Sequence, residues 1–308
     1  MTAGTVPGAR PVDAARPPIA PAPVEHAARL GGTDGVAAPA GSARPGGGSA
    51  VSVSRWALRL ATVAAVVVLW QVLAANNVVA WLHFDTVPSP LEVLSAWGDR
   101  FGTQQYYLDV GQSLIRIGIG FALATAVGVP LGIALGRSRV AGDTLGTLTE
   151  LARPIPAIAL VPIAILVFPT DEAGMVFITF LAALFPIIVS TRHAVRALPT
   201  IWEESVLTMG GTRRDVTLRV ILPGIMPGVF GGLSVGIGVA WICLISAEMI
   251  SGRLGIGYQT WQSYTVVDYP GVFVGMFTIA ALGAATSGAI ELCGRRMTRW
   301  LPRGEQKS

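Results

Sequence analysis

The chain has 308 residues, of which 52% are hydrophobic and 13% are charged, and its mean hydropathy is +0.60. Soluble domains carry about 25% charged residues, so this composition excludes an ordinary soluble protein and places the chain in the membrane class. The formal net charge of +4 does not indicate nucleic-acid binding, because the arginines cluster at the ends of apolar runs and form no basic surface interleaved with aromatic residues.

The first segment of the chain, residues 1–52, is rich in small residues and proline. Its first 50 residues include 13 Ala, 9 Gly and 8 Pro, and no apolar run that would form the core of a signal peptide. Such a composition cannot bury enough apolar surface to offset the entropy of the chain. We therefore expect a disordered tail, on the cytoplasmic side, and assign it no function.

Six apolar segments long enough to cross roughly 30 Å of hydrocarbon follow this tail. They predict an all-α membrane domain over residues 53–302, followed by a short cytoplasmic tail at 303–308. Six spans place both ends of the chain on the same side of the membrane. The predicted spans are 56–76, 111–136, 145–168, 173–192, 224–250 and 271–292.

The distribution of positively charged residues predicts on which side of the membrane the two termini lie. The loops on the opposite side contain only Arg100 and Arg253. By the positive-inside rule, both termini and the loop between spans four and five are expected in the cytoplasm, in a multi-pass protein of the inner membrane. The residues on the termini side are Arg55, Arg59, Arg137, Arg139, Arg192, Arg196, Arg213, Arg214, Arg219, Arg295, Arg296, Arg299, Arg303 and Lys307.

The loop after span one contains an amphipathic segment over residues 91–101. Its apolar residues have helical spacing and are interrupted by Glu92, Asp99 and Arg100. We expect a helix lying on the outer surface, and anchoring at the membrane interface is the alternative.

Glycines recur at every fourth position in two of the predicted spans. Lipid gives helices no hydrophobic drive to associate, so close backbone approach along such stripes supplies the packing energy. We expect the stripes to contact other spans or a second copy of the chain. They are Gly128, Gly132 and Gly136 in span two, and Gly228, Gly232 and Gly236 in span five.

Span three contains three prolines within nine residues, namely Pro154, Pro156 and Pro162. Proline removes a backbone donor and kinks a helix, and a membrane tolerates such breaks where protein or a wet cavity satisfies the freed carbonyl groups. The pattern predicts a bent helix that lines a translocation pathway. A kink that only packs against other helices is the alternative.

Charged residues inside spans are costly, so Arg116, Arg153 and Glu248 are candidate pathway residues. The two arginines would suit an anion, because a guanidinium group matches the oxygens of sulfonate, carboxylate or nitrate. The interpretation that we favour is that they pair with Glu150 or Glu248, or extend to the headgroup layer.

A polar segment over residues 199–223 separates spans four and five, although crossing a bilayer does not require it. Two capping boxes and a pair of glycines predict a helix, a tight turn and a second helix that ends before the final proline. Such a hairpin between spans is typical of a docking element. The signals are Thr200 with Glu203, Gly210-Gly211, Thr212 with Asp215, and Pro223.

Residues 204–223 resemble the E-A-A-x-x-x-G-x(9)-I-x-L-P loop of membrane subunits of binding-protein-dependent ABC importers, which sits in a cleft of the cytoplasmic ATPase. Two family alanines are replaced by Ser205 and Val206, and Val220 stands for the isoleucine. Small residues are kept, so docking is expected to survive. The coupling residues that the resemblance implies are Glu203, Glu204, Ser205, Val206, Gly210, Gly211, Arg213, Leu222 and Pro223.

Over about residues 56–302 the chain resembles the sulfonate, taurine and nitrate importer permeases, which implies a type I importer bundle. The resemblance also rests on Leu114-Ile115-Arg116, on Pro130-Leu131-Gly132, on the proline-rich start of span three and on Trp241–Glu248. One departure lies at the outer end of span three. There the family usually has Phe-Gly-x-Gly-Glu, and this chain has Phe168-Pro169-Thr170-Asp171-Glu172, which keeps the glutamate and loses the glycines.

The resemblance implies a permease subunit that moves a small solute, such as sulfonate, taurine or nitrate, by alternating access. It also implies three partners: a second permease copy in a two-fold homodimer, a cytoplasmic ATPase dimer that binds ATP and Mg, and an extracytoplasmic solute-binding protein. A secondary transporter or channel is the alternative. Such a protein would be expected to show inverted repeats or a line of titratable residues, and the sequence shows neither.

The chain itself is expected to be neither an enzyme nor a binder of a cofactor or metal. Its single lysine, Lys307, is not preceded by glycine, so the phosphate-binding G-x-x-x-x-G-K-[ST] loop cannot form. The three histidines are scattered without metal-ligand spacing. ATP hydrolysis is therefore expected from a separate subunit.

Overall fold

The computed structural model describes residues 48–76, 86–251 and 253–299, with only the backbone described over 48–55. The predicted tails over 1–47 and 303–308 lie outside the described residues. The chain divides into two compact units, Met1–Arg55 and Trp56–Ser308, and the second contains all the long helices except the start of the first. That first helix begins at Gly48, inside the segment predicted as a tail over 1–52.

Within these ranges the structure is all-α, which confirms the predicted fold class. Five helices there are long and apolar enough to cross a membrane, and a bent pair, Arg139–Ala152 with Ala157–Val167, makes a sixth when it is counted as one span. The helices are α1 (Gly48–Ala75), α2 (Pro90–Phe101), α3 (Gln104–Arg137), α4 (Arg139–Asp143), α5 (Leu145–Ala152), α6 (Val161–Val167), α7 (Asp171–Arg196), α8 (Thr200–Thr208), α9 (Arg213–Asp215), α10 (Leu222–Ser251), α11 (Ile256–Thr265) and α12 (Tyr269–Met297).

Helix α7 forms the centre of the bundle, packed between α3 and α10. Both predicted glycine stripes face it. A Cβ atom on Gly132 of α3 would lie 2.6 Å from the Cβ of Thr191, and one on Gly232 of α10 would lie 2.6 Å from the Cβ of Ser190. The stripes therefore let two helix backbones approach α7 closely, and they contact another span, which is one of the two alternatives.

The third predicted span is broken rather than continuous. Its two arms meet at an angle of 77° across residues 153–156. Proline disfavours the helical conformation of the residue before it and cannot donate to the preceding turn, so Pro154 and Pro156 together interrupt the helix. Pro156 is extended, with φ −68° and ψ 117°, and a 3₁₀ turn at Ala157–Leu160 restarts the chain before α6. The predicted bend is confirmed, and it takes the form of a break between two helices rather than a kink within one.

Helix α2 occupies the amphipathic segment predicted after span one. Ser89 caps it, since its Oγ accepts from the Glu92 N–H at 3.3 Å while the Glu92 carboxylate accepts from the Ser89 N–H at 2.8 Å. At the other end of α2, Arg100 donates to Asp268, the N-cap residue of α12, at 2.8 Å. Polar contacts thus fix α2 to the bundle, while Leu94 on its apolar face stays exposed.

Candidate functional site

The turn of the hairpin is a Schellman motif at the end of α8. The Gly211 N–H donates to the Val206 carbonyl at 2.9 Å, and the Gly210 N–H donates to the Leu207 carbonyl at 3.0 Å. Gly210 has φ +84°, as the sequence predicted for a left-handed turn. A Cβ atom on Gly211 would lie 2.6 Å from Cγ1 of Val206. The first glycine is therefore needed for its backbone conformation and the second for space.

The start of α8 differs from the prediction. Pro199, and not Thr200, is the N-cap residue, and no side chain caps this helix. Glu203, expected to complete a capping box, instead forms an ion pair with Arg137 at the end of α3. Proline has neither a side-chain acceptor nor a backbone N–H, so a capping box cannot form at Pro199, and the Glu203 carboxylate is left to pair with arginine. The ion pair fastens the hairpin to α3.

The second capping box forms as predicted, because Thr212 Oγ1 accepts from the Asp215 N–H and the Asp215 carboxylate accepts from the Thr212 N–H. The helix that starts there does not end before Pro223, and this part of the prediction is wrong. It continues through a π-helical turn at Val216–Ile221 into α10, so that Arg213–Ser251 is one 39-residue helical segment. Local π adjustment satisfies backbone groups that a proline leaves free, which lets the helix pass Pro223.

The exposed face of the hairpin combines a carboxylate with apolar side chains. Glu204 is exposed, and its carboxylate contacts no partner among the described residues. Met209, next to the turn, is 79% exposed. The same segment also contains a groove of about 640 Å³, which is lined by Trp202, Arg219, Val220, Pro223 and Gly224. Apolar groups gathered in this way on a polar surface are typical of a site that binds another protein.

The remaining predicted coupling residues divide by exposure. Ser205 and Arg213 are exposed, and Ser205 Oγ donates to the Ile201 carbonyl at 2.7 Å. Val206 and Leu222 are partly buried and support the hairpin from inside. The structure therefore brings all nine predicted coupling residues together at one end of the bundle.

A buried ionic network lies around Arg116 of α3, whose side chain is only 1% exposed. Its Nε and Nη2 donate to the two carboxylate oxygens of Glu172 at 2.7 and 2.5 Å. Its Nη1 donates to Glu248 at 2.8 Å and to the Leu254 carbonyl at 2.6 Å. Two carboxylates around one guanidinium group leave little room for a solute anion. Of the alternatives for Arg116, pairing with Glu248 is the one that the structure shows.

Glu248 of α10 is fully buried, and its carboxylate accepts hydrogen bonds from two further donors. Ser113 Oγ donates to it at 2.7 Å, and the Gly257 N–H donates at 2.9 Å. Gly255 has φ +129°, and a Cβ atom there would lie 2.5 Å from the carboxylate carbon. The chain between α10 and α11 thus wraps around this carboxylate. Sequence reasoning missed Ser113 and both glycines, although a Gly-x-Gly directly after a charged span end was an available signal.

The hairpin and the network lie far apart along α3. Arg137 contacts the hairpin and Arg116 forms the network, and their separation of 21 positions corresponds to about 32 Å of helix. This matches the hydrocarbon thickness of roughly 30 Å. The two sites therefore lie near opposite faces of a membrane.

A third feature is a groove of about 540 Å³ between the broken span, α7 and α10. Arg153 and Pro156 line it, and the exposed Arg153 side chain has no hydrogen bond or ion pair with any residue that the structure describes. Pro154 is exposed at the break, outside the lining, and neither Arg116 nor Glu248 reaches the groove. The other lining residues are Ile155, Ala157, Ile158, Leu181, Ala182, Phe185, Pro186, Val189, Ser190, Val235, Val239, Ile242 and Cys243.

Comparison with known proteins agrees with this architecture. Residues 128–299, more than half of the chain, match the family described as the inner membrane component of binding-protein-dependent transport systems. A putative ABC transporter permease protein of Methanocaldococcus jannaschii is 35% identical over 236 residues, which cover 76% of this chain and 88% of that protein. The chain belongs to this family of permease components, and it is a multi-pass membrane protein.

Relatives with named substrates are also similar. The putative aliphatic sulfonates transport permease protein SsuC of Escherichia coli is 31% identical, with 82% of this chain and 96% of that protein covered. The nitrate import permease protein NrtB of Synechococcus elongatus is 28% identical over 74% of this chain and 84% of that protein. The inward-facing methionine ABC transporter MetNI shares the fold, with a TM-score of 0.51, 18% identity, and coverage of 63% of this chain and 95% of that chain. The chain is thus an ABC importer permease subunit of the type I fold.

Proposed function

We propose that this chain is the membrane subunit of an ATP-driven importer for a small anion of the sulfonate, taurine or nitrate kind. The relatives named for aliphatic sulfonates and nitrate support the substrate class. The observation that carries the proposal is the hairpin, an exposed and partly apolar element continuous with a long helix of the bundle. A secondary transporter or channel has no comparable need for such an element.

The hairpin docks on a cytoplasmic ATPase dimer, which binds ATP and Mg, and moves with it. Because Arg213–Ser251 is one helical segment, a tilt of the hairpin is transmitted to α10. Val235 and Val239 of α10 line the groove, so the same tilt moves a groove wall. The bundle thereby alternates between openings to its two sides, with both termini in the cytoplasm and a solute-binding protein at the opposite face.

A second copy of the chain completes the pathway. The groove is open along one side, and Arg153 lies in it exposed. An arginine facing lipid inside a span is costly, so this side is expected to face protein or water. Leu148 and Leu151 of the adjacent α5 are also exposed and would pack against the partner. A two-fold homodimer encloses the groove and places two unpaired arginines along it, which favours an anion.

The docking role is tested at Met209. Met209→Asp places a charge in the apolar contact, so the co-expressed ATPase subunit is expected to be lost from the purified complex, and ATPase stimulation with it. The matched control is Met297→Asp, since Met297 is a half-exposed methionine at the end of α12. An ATPase that stays bound to the Met209→Asp variant would show that the hairpin is not the docking element.

The substrate class is tested at Arg153. Arg153→Gln removes the charge from the groove and is expected to reduce uptake of sulfonate, taurine or nitrate in proteoliposomes, while the ATPase remains bound. Arg139→Gln is the control, because Arg139 is exposed outside the groove. Equal uptake by the two variants would remove the argument for an anionic solute.

A further inference from the structure

Two adjacent carboxylates begin α7 at the point where the broken span ends, and each pairs with an arginine. Asp171 forms an ion pair with Arg253, with 2.9 Å between Oδ2 and Nε, and Glu172 accepts from Arg116 at 2.7 and 2.5 Å. Thr170 caps the helix, since its Oγ1 accepts from the Ala173 N–H at 3.2 Å. The segment that stands in place of the family's Gly-x-Gly-Glu thus forms a capped helix start, with its first turn held by two ion pairs.

These ion pairs differ in their access to water. Arg116 and Glu248 are 1% and 0% exposed, so their pair cannot exchange its partners for water without opening the bundle. Glu172 is 48% exposed, and the Asp171 and Arg253 side chains are 25% and 72% exposed. Water can therefore replace the partners of Asp171 and Glu172. The Arg116–Glu248 pair is therefore fixed, whereas Asp171 and Glu172 can be released from their arginines.

The ion pairs of Asp171 and Glu172, which water can reach, lie at the far end of the broken span that lines the groove. Helix α6 leads from the groove to this end of the bundle, and only residues 168–170 join it to α7. The contact is close, because a Cβ atom on Gly174 would lie 3.1 Å from the Ala164 carbonyl oxygen. Arg253 belongs to the chain that wraps Glu248. The Asp171–Arg253 pair thus joins the exit of the broken span to the end of α10, the helix that continues from the hairpin.

We propose that two ion pairs, Asp171 with Arg253 and Glu172 with Arg116, hold this end of the translocation groove closed. Their members are positioning residues. Release of Asp171 from Arg253 and of Glu172 from Arg116 opens the groove toward the face opposite the hairpin, while the Arg116–Glu248 pair persists. The inference rests on the proposed function, because it assumes that the groove is the pathway.

The experiment measures access to the groove. Ile158, which lines it and is 44% exposed, is changed to cysteine in a chain that also carries Cys243→Ala and Cys293→Ala. The permease in proteoliposomes, together with its ATPase but without nucleotide, is labelled with a membrane-impermeant maleimide from the Arg253 side. Asp171→Asn and Arg253→Gln are each expected to raise the labelling rate several-fold, and the exchange D171R/R253D is expected to restore the parental rate.

Two controls make the result specific. Glu291→Gln removes an exposed ion pair at the other end of the bundle, with Arg295, and should leave labelling unchanged. The thermal midpoint Tm is measured in parallel. Parental labelling rates in both single variants, with or without a lower Tm, would reduce the pair to a structural contact and overturn the proposal, as would an exchange that fails to restore the rate. Labelling needs no ATP hydrolysis, so this failure is distinguishable from loss of ATPase binding at Met209.

Discussion

The charged residues at the two ends of the bundle differ in their exposure to solvent and in how fully they are paired. At the hairpin, the side chains of the Arg137–Glu203 pair are 42% and 23% exposed, and Glu204 has no partner among the described residues. At the other end, Arg116 and Glu248 are enclosed by helices and share hydrogen bonds with Ser113 and the chain after α10. The first arrangement leaves groups available to another protein, and the second satisfies them internally.

Exposed and buried ion pairs also differ in how much their loss changes the stability of the protein. An exposed ion pair contributes about 0–1 kcal/mol, because water solvates and salt screens both charges. Removing one partner of a buried pair costs about 3–5 kcal/mol, because the other charge stays buried without compensation. The hairpin can thus exchange its contacts for those of an ATPase at small cost. The Arg116–Glu248 pair is expected to persist through every state of the transport cycle.

The largest effect is expected from Glu248→Ala. The substitution leaves the Arg116 guanidinium buried with one of its two carboxylates gone, so a loss of about 3–5 kcal/mol of stability is expected. The measurement is the yield of folded protein and its Tm in detergent. Glu291→Ala is the control, since its pair with Arg295 is exposed and its loss should cost less than about 1 kcal/mol. Similar losses in the two variants would show that burial does not distinguish the pairs.

A smaller effect is expected in the helix packing that links the two ends. Gly132→Val forces a side chain against Thr191 of α7, and overpacking of this kind costs about 1–3 kcal/mol. Gly118→Val is the matched control, because a Cβ atom at Gly118 meets no atom within 4 Å. Thermal unfolding of both variants gives the comparison. A Gly118 variant as unstable as the Gly132 variant would contradict the role assigned to the stripe.

At the hairpin, Gly210→Val is expected to act on coupling more than on folding. A β-branched residue at φ +84° is strained by about 1–2 kcal/mol, and the turn is expected to relax and displace α8. Transport should become uncoupled from ATP hydrolysis while Tm changes little. Gly210→Asn is the control, because asparagine tolerates the left-handed conformation. Normal transport and full ATPase stimulation in the valine variant would contradict the coupling role.

Features set by neighbouring residues were predictable from the sequence. The left-handed turn at Gly210 and the capping box of Thr212 with Asp215 depend on residues within three positions of one another. The apolar spans followed from hydropathy, and the glycine stripes from their spacing. Their contact with α7 did not, since spacing shows which face packs and not which helix it meets.

Most features set by distant residues were not predictable. Glu203 was expected to cap its own helix, but Arg137, 66 positions away, is its partner. Arg116 pairs with Glu248, which the sequence analysis had offered as a partner because both are charged residues inside spans, but its second partner, Glu172, 56 positions away, was not connected to it. The continuity of the hairpin with α10 was also missed. Hydropathy falls between them, whereas the backbone hydrogen bonds of a helix do not depend on hydropathy.

The smallest effect is expected at the Arg137–Glu203 pair, which attaches the hairpin to α3. Arg137→Ala should lower stability by at most about 1 kcal/mol, equivalent to about a fivefold shift between attached and free hairpin. ATPase stimulation is expected to fall partially, and the exchange R137E/E203R is expected to restore it. If Arg137→Ala abolished coupling as fully as Gly210→Val, attachment to α3 would control the hairpin. If it had no effect, the continuous helix into α10 would be sufficient to transmit the motion.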